Sequence, residues 1–348
     1  MGNLEAPVLD FKALPKIELH AHLSGSISRQ CLHEVWLMKK AAGETTLQDP
    51  LIEMPPGKHD YDLKTFFPLF SSYIYNLVND AASLRYTTLS VLRDFAADGV
   101  VYLELRTTPR ALPAAGLSAA GYVDAILAAI AEYERAEADK PEPKLRTRLI
   151  LSIDRRAQPA LAELTLSLCT PPRIVGIDLC GDPSVPLAAH LTPIFHAARR
   201  VPGLGMTVHF AEAPCSSSAG ELKTLLSWRP DRLGHVICVN GGVREEIVRK
   251  GGVGLELCLS CNVQAGMVEG GVAGHHFGEW WKVDETVVVL STDDVGVFGS
   301  PLSNEYALVA QHFGLGRAEI CALVRKGINV VFGGEEEKAR LRKILWEA

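Results

Sequence analysis

Short apolar runs rich in β-branched residues recur along the chain, separated by stretches whose apolar positions return every three or four residues. Runs of that length, bounded by turn residues, read as strands buried on both faces, and the longer period reads as amphipathic helix; the repeating unit is therefore a pair of parallel strands joined by a helix. Eight such runs are present, at 16–22, 100–106, 147–154, 174–179, 206–210, 232–237, 252–259 and 286–291. Helical patterns lie between them at 28–40, 66–77, 81–97, 122–138, 186–199 and 219–228, and terminal helices follow from Asn304 onward. Eight repeats predict an α/β fold of the (β/α)8 type, a TIM barrel. The proline-bearing stretch 47–60 predicts a surface insertion and the glycine-bearing stretch 266–274 a flexible loop. Neither marks a boundary, so one catalytic barrel domain over residues 1–348 is expected, with surface insertions and C-terminal helices.

Polar residues gather where the apolar runs end: His20 and His22, then Arg106, Asp154, Asp178, His209, His235, Glu256 and Asp293. In such barrels the face carrying the strands' C-terminal ends holds the site, assembled from several strands. These groups are therefore expected to converge although they are far apart in sequence.

Composition narrows the setting. The chain is 47% hydrophobic and 22% charged, enough to bury a large core, and its net charge of −6 leaves no broad cationic face for a nucleic-acid backbone. Apolar stretches are too short to cross a bilayer and the N-terminus lacks a basic segment followed by an apolar run, so no membrane partner and a cytosolic monomer are expected. The eight cysteines, several within apolar runs, read as buried packing groups in a reducing compartment, with no disulfides.

His20 and His22 stand two apart in a strand, so both imidazoles leave the same face. A lone His-x-His is more often two polar residues at a strand end, His209 alone a buried core histidine, and Asp293 with Asp294 alone a solvated turn. Together they place nitrogen and oxygen donors at one end of three strands, the donor set of a mononuclear catalytic zinc site with room left for water. Glu212, three residues beyond His209, adds a carboxyl suited to moving a proton, and His235 stands where it would orient or deprotonate the water.

Four segments carry a family resemblance: PKIELHAHLSGS at 15–26, HFAE at 209–212, RLGH at 232–235 and STDD at 291–294. In order and spacing this set resembles the adenosine deaminase family of metal-dependent hydrolases, over nearly the whole chain. The resemblance implies one Zn2+ per chain held by His20, His22, His209 and Asp293, with Glu212 protonating purine N1 and His235 holding the attacking water. It further implies that Asp294 bonds N7 and that the backbone of Gly181 meets N3.

One position bears on the substrate. Adenosine-specific members of that family carry an aspartate where this chain has Ser24, and a carboxylate there would repel a 5′-phosphate. Ser24 removes that charge, while Thr107, Thr108, Pro109 and Arg110 follow the second strand with hydroxyls and a guanidinium suited to phosphate oxygens. With DRR at 154–156 and GHHFG at 274–278, the chain resembles the branch that converts N6-methyl-AMP to IMP and methylamine, with substrate contacts at His22, Ser24, Thr107, Thr108, Pro109, Arg110, Asp154, Gly181 and Asp294. That branch carries Asn at the Ser24 position and a His near Ile74. An isoleucine side chain donates no hydrogen bond, so that phosphate contact is either missing or supplied by Tyr73 or another residue.

Rival chemistries are weaker. Adenosine conversion to inosine and ammonia remains the alternative within the same family, and an inactive nucleotide-binding barrel would not need Glu212. Binuclear amidohydrolases need a lysine after the fourth strand, where this chain reads DLCG at 178–181. The His-x-Glu and Pro-Cys-x-x-Cys pattern of cytidine deaminases is absent, and the pair Cys258 and Cys261, lacking a second pair, reads as packing.

Overall fold

In the computed structural model, which describes residues 9–347, all eight apolar runs are strands: β1 Lys16–His22, β2 Val100–Thr107, β3 Arg146–Asp154, β4 Ile174–Cys180, β5 Gly205–Phe210, β6 Arg232–His235, β7 Val253–Leu257 and β8 Thr286–Leu290. Each pairs in parallel with the next, in sequence order. β2, β4 and β7 are buried at every position, as runs packed between a barrel interior and an outer helical layer must be. Ring closure comes from a parallel bridge between Ala21 and Asp293, in which the His22 amide donates to the Asp293 carbonyl at 3.0 Å and the Asp293 amide to the His20 carbonyl at 2.8 Å. The chain is a (β/α)8 barrel.

Element ends moved where local chemistry overrode the apolar pattern. Ser118 accepts from the Gly121 amide and starts its helix at Ala119, three residues before the apolar periodicity begins. The run expected at 186–199 is helical only over Leu191–Ala198. Pro193 has no amide proton and its ring would collide with the carbonyl four residues back, so the helix begins where Pro193 falls in its first turn. β6 stops at His235 rather than 237 because His235 and Val236 turn into the left-handed region, with φ of 64° and 58°. β7 stops at Leu257, since Leu259–Gln264 is already helix. The stretch at 47–60 is pinned to the body: the Arg29 guanidinium donates to the carbonyls of Pro55, Lys58 and Val297.

The barrel interior is ionic rather than purely aliphatic. The Glu256 carboxylate accepts from Arg106 Nη2 at 2.9 Å, Arg232 Nε at 2.6 Å, Thr207 Oγ1 at 3.0 Å and His20 Nδ1 at 2.7 Å, all fully buried. Arg232 also reaches Glu104 at 2.6 Å and lies 3.6 Å over the Phe332 ring. Phe332 plugs the floor, where a side chain at Gly205 would come within 2.4 Å of its ring.

Removing one partner from such a network leaves buried charge uncompensated, which costs about 3 to 5 kcal/mol. Glu256→Ala removes one of two buried carboxylates from each of Arg106 and Arg232, leaving Asp178 and Glu104 to them, and a drop of that size in unfolding free energy is expected from urea titration. A loss below about 1 kcal/mol, the level of an exposed pair, would show that the interior charges are hydrated.

Candidate functional site

Strand alternation aims His20 and His22 into the mouth of the barrel, and His209 and Asp293 arrive there from the ends of β5 and β8. A carboxylate only accepts, so the 2.7 Å contact with Glu256 puts the His20 proton on Nδ1 and leaves Nε2 bare. That Nε2 is buried without a hydrogen-bond partner, 3.4 Å from Asp293 Oδ1. His209 Nδ1 donates to the Leu179 carbonyl at 2.8 Å, so its Nε2 is bare too, and it faces His22 Nε2 at 3.1 Å. His22 Nε2 in turn lies 3.4 Å from Asp293 Oδ1.

Lone pairs this close to each other and to a carboxylate repel unless a cation sits among them. His20 shows the same demand: burial and Arg106 pull its pKa down, yet Asp293 and Glu256 hold it above the ordinary histidine value. Burial would likewise raise Asp293, but the His20, His235 and His22 imidazoles keep it well below the usual carboxylate range. The donors fit a divalent cation of zinc's borderline softness. Proximity alone offers a choice of third imidazole. Ring nitrogens of His20, His209 and His235 and an Asp293 oxygen lie within 4.8 Å of one another, so His235 crowds the place expected for His22.

Two carboxyls beside this cluster are pushed the other way. Burial raises Glu212 to about 7, and burial with the neighbouring Asp293 charge raises Asp294 well above the ordinary range. Asp294 therefore favours its neutral form, and Glu212 exchanges its proton near neutral pH. Asp294 lies directly on the Gly25 backbone, where a Cβ would fall 1.5 Å from its Oδ1. Backbone strain collects here as well. Ala211, His235, Val236 and Asp293 all have φ between 50° and 64° without being glycine, each at the C-terminal end of a strand.

A cavity of about 800 Å3, counted to its open mouth, rises from this cluster. His22, Ser24, Thr107, Thr108, Arg110, Asp154, Gly181, Glu212 and Asp294 line it as expected; Pro109 is buried and does not. Arg110 packs 4.0 Å over the Tyr75 ring and 4.9 Å over Tyr122, with Nη1 3.5 Å from Ser24 Oγ. Asp154 is engaged by Arg156 through contacts of 2.9 and 2.8 Å. Gly181, at φ 102°, abuts the Asp154 carboxylate, where a Cβ would come within 2.8 Å.

Some expectations need correction. Ile74 and Tyr73 are both buried, and the Tyr73 hydroxyl is taken up by the Gln48 carbonyl; Ser71 and Tyr75 are the polar residues of that segment on the cavity, beside Phe66, Phe67 and Phe70. Cys261 is more than packing, since its thiol donates to Asp293 Oδ2 at 2.9 Å. Glu256 is among the strand-end groups expected to converge, but its contact with His20 is not legible in the sequence, and neither Asn262 nor His275 is a candidate there. The His-His pair of the GHHFG segment was the one available signal, and nothing in it says which residue it faces.

A Cβ on Gly234 would meet His20 Cε1 at 2.8 Å, between the two ring nitrogens. Gly234→Ala is expected to tilt that ring and weaken metal retention by about 10- to 100-fold, as measured by metal content after dialysis against graded chelator. Unchanged retention would take His20 out of the metal set.

Comparison with known proteins places this geometry. The family described as adenosine deaminase matches residues 15–348. Human N6-Methyl-AMP deaminase is 34% identical over 345 residues, covering 96% of this chain and 93% of that protein. The crystal structure of Arabidopsis N6-mAMP deaminase superposes with a TM-score of 0.87 at 33% identity, covering 96% of this chain and 98% of that one. Arabidopsis ADAL complexed with IMP gives a TM-score of 0.87 at 33% identity, covering 96% and 97%.

Proposed function

This chain belongs to the adenosine deaminase family, and from that we propose that it hydrolyses N6-methyl-AMP to IMP and methylamine. The observation that carries the substrate is the Ser24–Arg110 corner. A hydroxyl and a guanidinium held between Tyr75 and Tyr122 line the cavity; of the acids on it, Asp154 is paired with Arg156, and Asp294, which lies against Gly25 beside Ser24, is held toward its neutral form by burial and the Asp293 charge. A dianionic phosphate finds donors there and no free carboxylate. Relatives named for N6-methyl-AMP and a solved relative holding IMP support the same assignment.

His20, His22, His209 and Asp293 would hold one zinc ion, whose Lewis acidity makes water a competent nucleophile near neutral pH. The remaining work falls to this chain's own groups. Protonated Glu212 donates to N1 as the water oxygen adds to C6, so the ring is neutral when the tetrahedral carbon forms. Protonated Asp294 donates to N7, and the Gly181 amide to N3, which fixes the purine plane. Of the two protons on the added oxygen, one returns to the Glu212 carboxylate and restores its acid form, and the other goes to the exocyclic nitrogen as its bond to C6 breaks, so that methylamine leaves and C6 becomes the carbonyl of IMP. His235 sits 3.8 Å from Glu212 and 4.0 Å from Asp293, and so borders the place the water must occupy.

Side-by-side assays of N6-methyl-AMP, AMP and adenosine are expected to rank the methylated nucleotide first; adenosine as the best substrate would overturn the assignment. Arg110→Ala is expected to lower kcat/KM for the nucleotide by about 10- to 100-fold, the value of a charge-assisted bond, and to leave the nucleoside almost unaffected. Equal losses for both would remove Arg110 from phosphate recognition. Glu212 donates only while protonated, so kcat/KM is expected to fall as pH rises through about 7. Glu212→Gln is expected to retain metal and lose turnover, and an active Gln variant would exclude Glu212 as the donor.

A further inference from the structure

Neither residue of the His275–His276 pair lines the cavity, yet His276 reaches the His235 backbone directly and His275 reaches the His235 ring through Asn262. His276 Nε2 donates to the His235 carbonyl at 2.6 Å, bracing a residue whose φ is 64°. His275 acts through Asn262, and every proton along that path can be placed.

The path starts at the Phe277 backbone amide, which only donates. It points at His275 Nδ1 at 3.0 Å, so Nδ1 must present its lone pair. Burial lowers the His275 pKa to about 2, which keeps the ring neutral with its one proton on Nε2. That Nε2–H faces Asn262 at 3.2 Å and requires the amide oxygen there. The amide nitrogen then faces His235 Nδ1 at 2.9 Å, and an NH2 group can only donate. Flipping the amide would set its NH2 against the His275 N–H, leaving two donors face to face. His235 Nδ1 therefore accepts, and its proton is on Nε2. That nitrogen is buried without a partner, and the nearest carboxylate oxygens, on Glu212 and Asp293, are too far for a hydrogen bond.

We propose that Asn262 and His275 are positioning residues that lock His235 in the Nε2-protonated tautomer. Two consequences follow. His235 has no lone pair to offer the metal from that position, which leaves His22 as the third imidazole although a His235 nitrogen also lies within 4.8 Å of the His20, His209 and Asp293 ligand atoms. In the proposed deaminase reaction His235 is then a hydrogen-bond donor to the attacking oxygen, stabilising charge as it develops, rather than the base that removes its proton. Only the second consequence rests on the deaminase reading.

The test uses zinc-loaded, histidine-15N-labelled protein and long-range proton–nitrogen correlation spectra, with His235 and His275 assigned by substitution. The wild type is expected to show His235 and His275 protonated at Nε2. Asn262→Asp keeps the shape and the bond to His275 but replaces the donor with an acceptor, so the His235 proton is expected to move to Nδ1. Its kcat for N6-methyl-AMP is expected to fall by about 100-fold or more, the loss seen when a donor to a developing oxyanion is removed, with KM within about threefold. His275→Phe is expected to lower kcat, and His275→Gln, whose amide can donate to Asn262, to restore most of it. A wild-type His235 protonated at Nδ1, or an unmoved proton in Asn262→Asp, overturns the proposal. A proton that moves as expected in a protein that ignores N6-methyl-AMP would uphold the relay and refute the substrate assignment instead.

Discussion

The barrel closes through the backbone of the residues that carry its chemistry. The hydrogen bonds from His22 to Asp293 and from Asp293 to His20 are the seam between the last strand and the first. Their side chains project from that seam toward one point. Forming the ring and assembling the donor cluster are therefore one event, and the cluster cannot loosen without opening the barrel. Asp293 takes a left-handed φ of 60° to do both, a conformation that persists because the bridge on each side of it over-determines it.

Behind the seam lies a layer of buried charge whose use is orientation. Ion pairs taken out of water gain little net stability against apolar packing of the same volume. Here, though, Glu256 ties Arg106, Arg232 and Thr207 to the Nδ1 proton of His20, and Asp178 with the Leu179 carbonyl does the same for His209. Each imidazole thus presents a bare nitrogen in one fixed direction. The relay from Phe277 through His275 and Asn262 applies the opposite setting to His235, so neighbouring histidines of identical composition meet the same space as acceptors and as donor.

Environment sorts the carboxyls in the same way. Asp178 and Asp293, faced by Arg106 or imidazoles, stay ionised against their burial, while burial and the Asp293 charge raise Glu212 to about 7 and Asp294 well above the ordinary carboxyl range. Adjacent residues such as Asp293 and Asp294 are pushed apart in acidity because only one charge is stable in so small a volume. Under the proposed function the ionised one would hold a cation and the protonated one would donate to a ring nitrogen.

By itself the sequence determined the repeating strands and helices, hence the barrel, because apolar period is a local property and eight buried runs can pack together as a closed sheet. It also singled out His20, His22, His209, Asp293 and Glu212 as candidates, since these residue types at strand ends have few other uses in combination, and the fold brings their side chains together at the barrel mouth. What it left open were contacts between residues distant in sequence and not distinguished by type. Tyr75 rather than Tyr73 reaches the cavity because the phase of that irregular helix, not its composition, aims the ring. Cys261 meets Asp293 and Asn262 meets His235 because the helix after β7 turns its first residues inward. Which nitrogen of His235 holds the proton was decided only by tertiary structure, since a tautomer depends on what stands opposite the ring, and what stands opposite is Asn262, set in turn by His275 and a backbone amide.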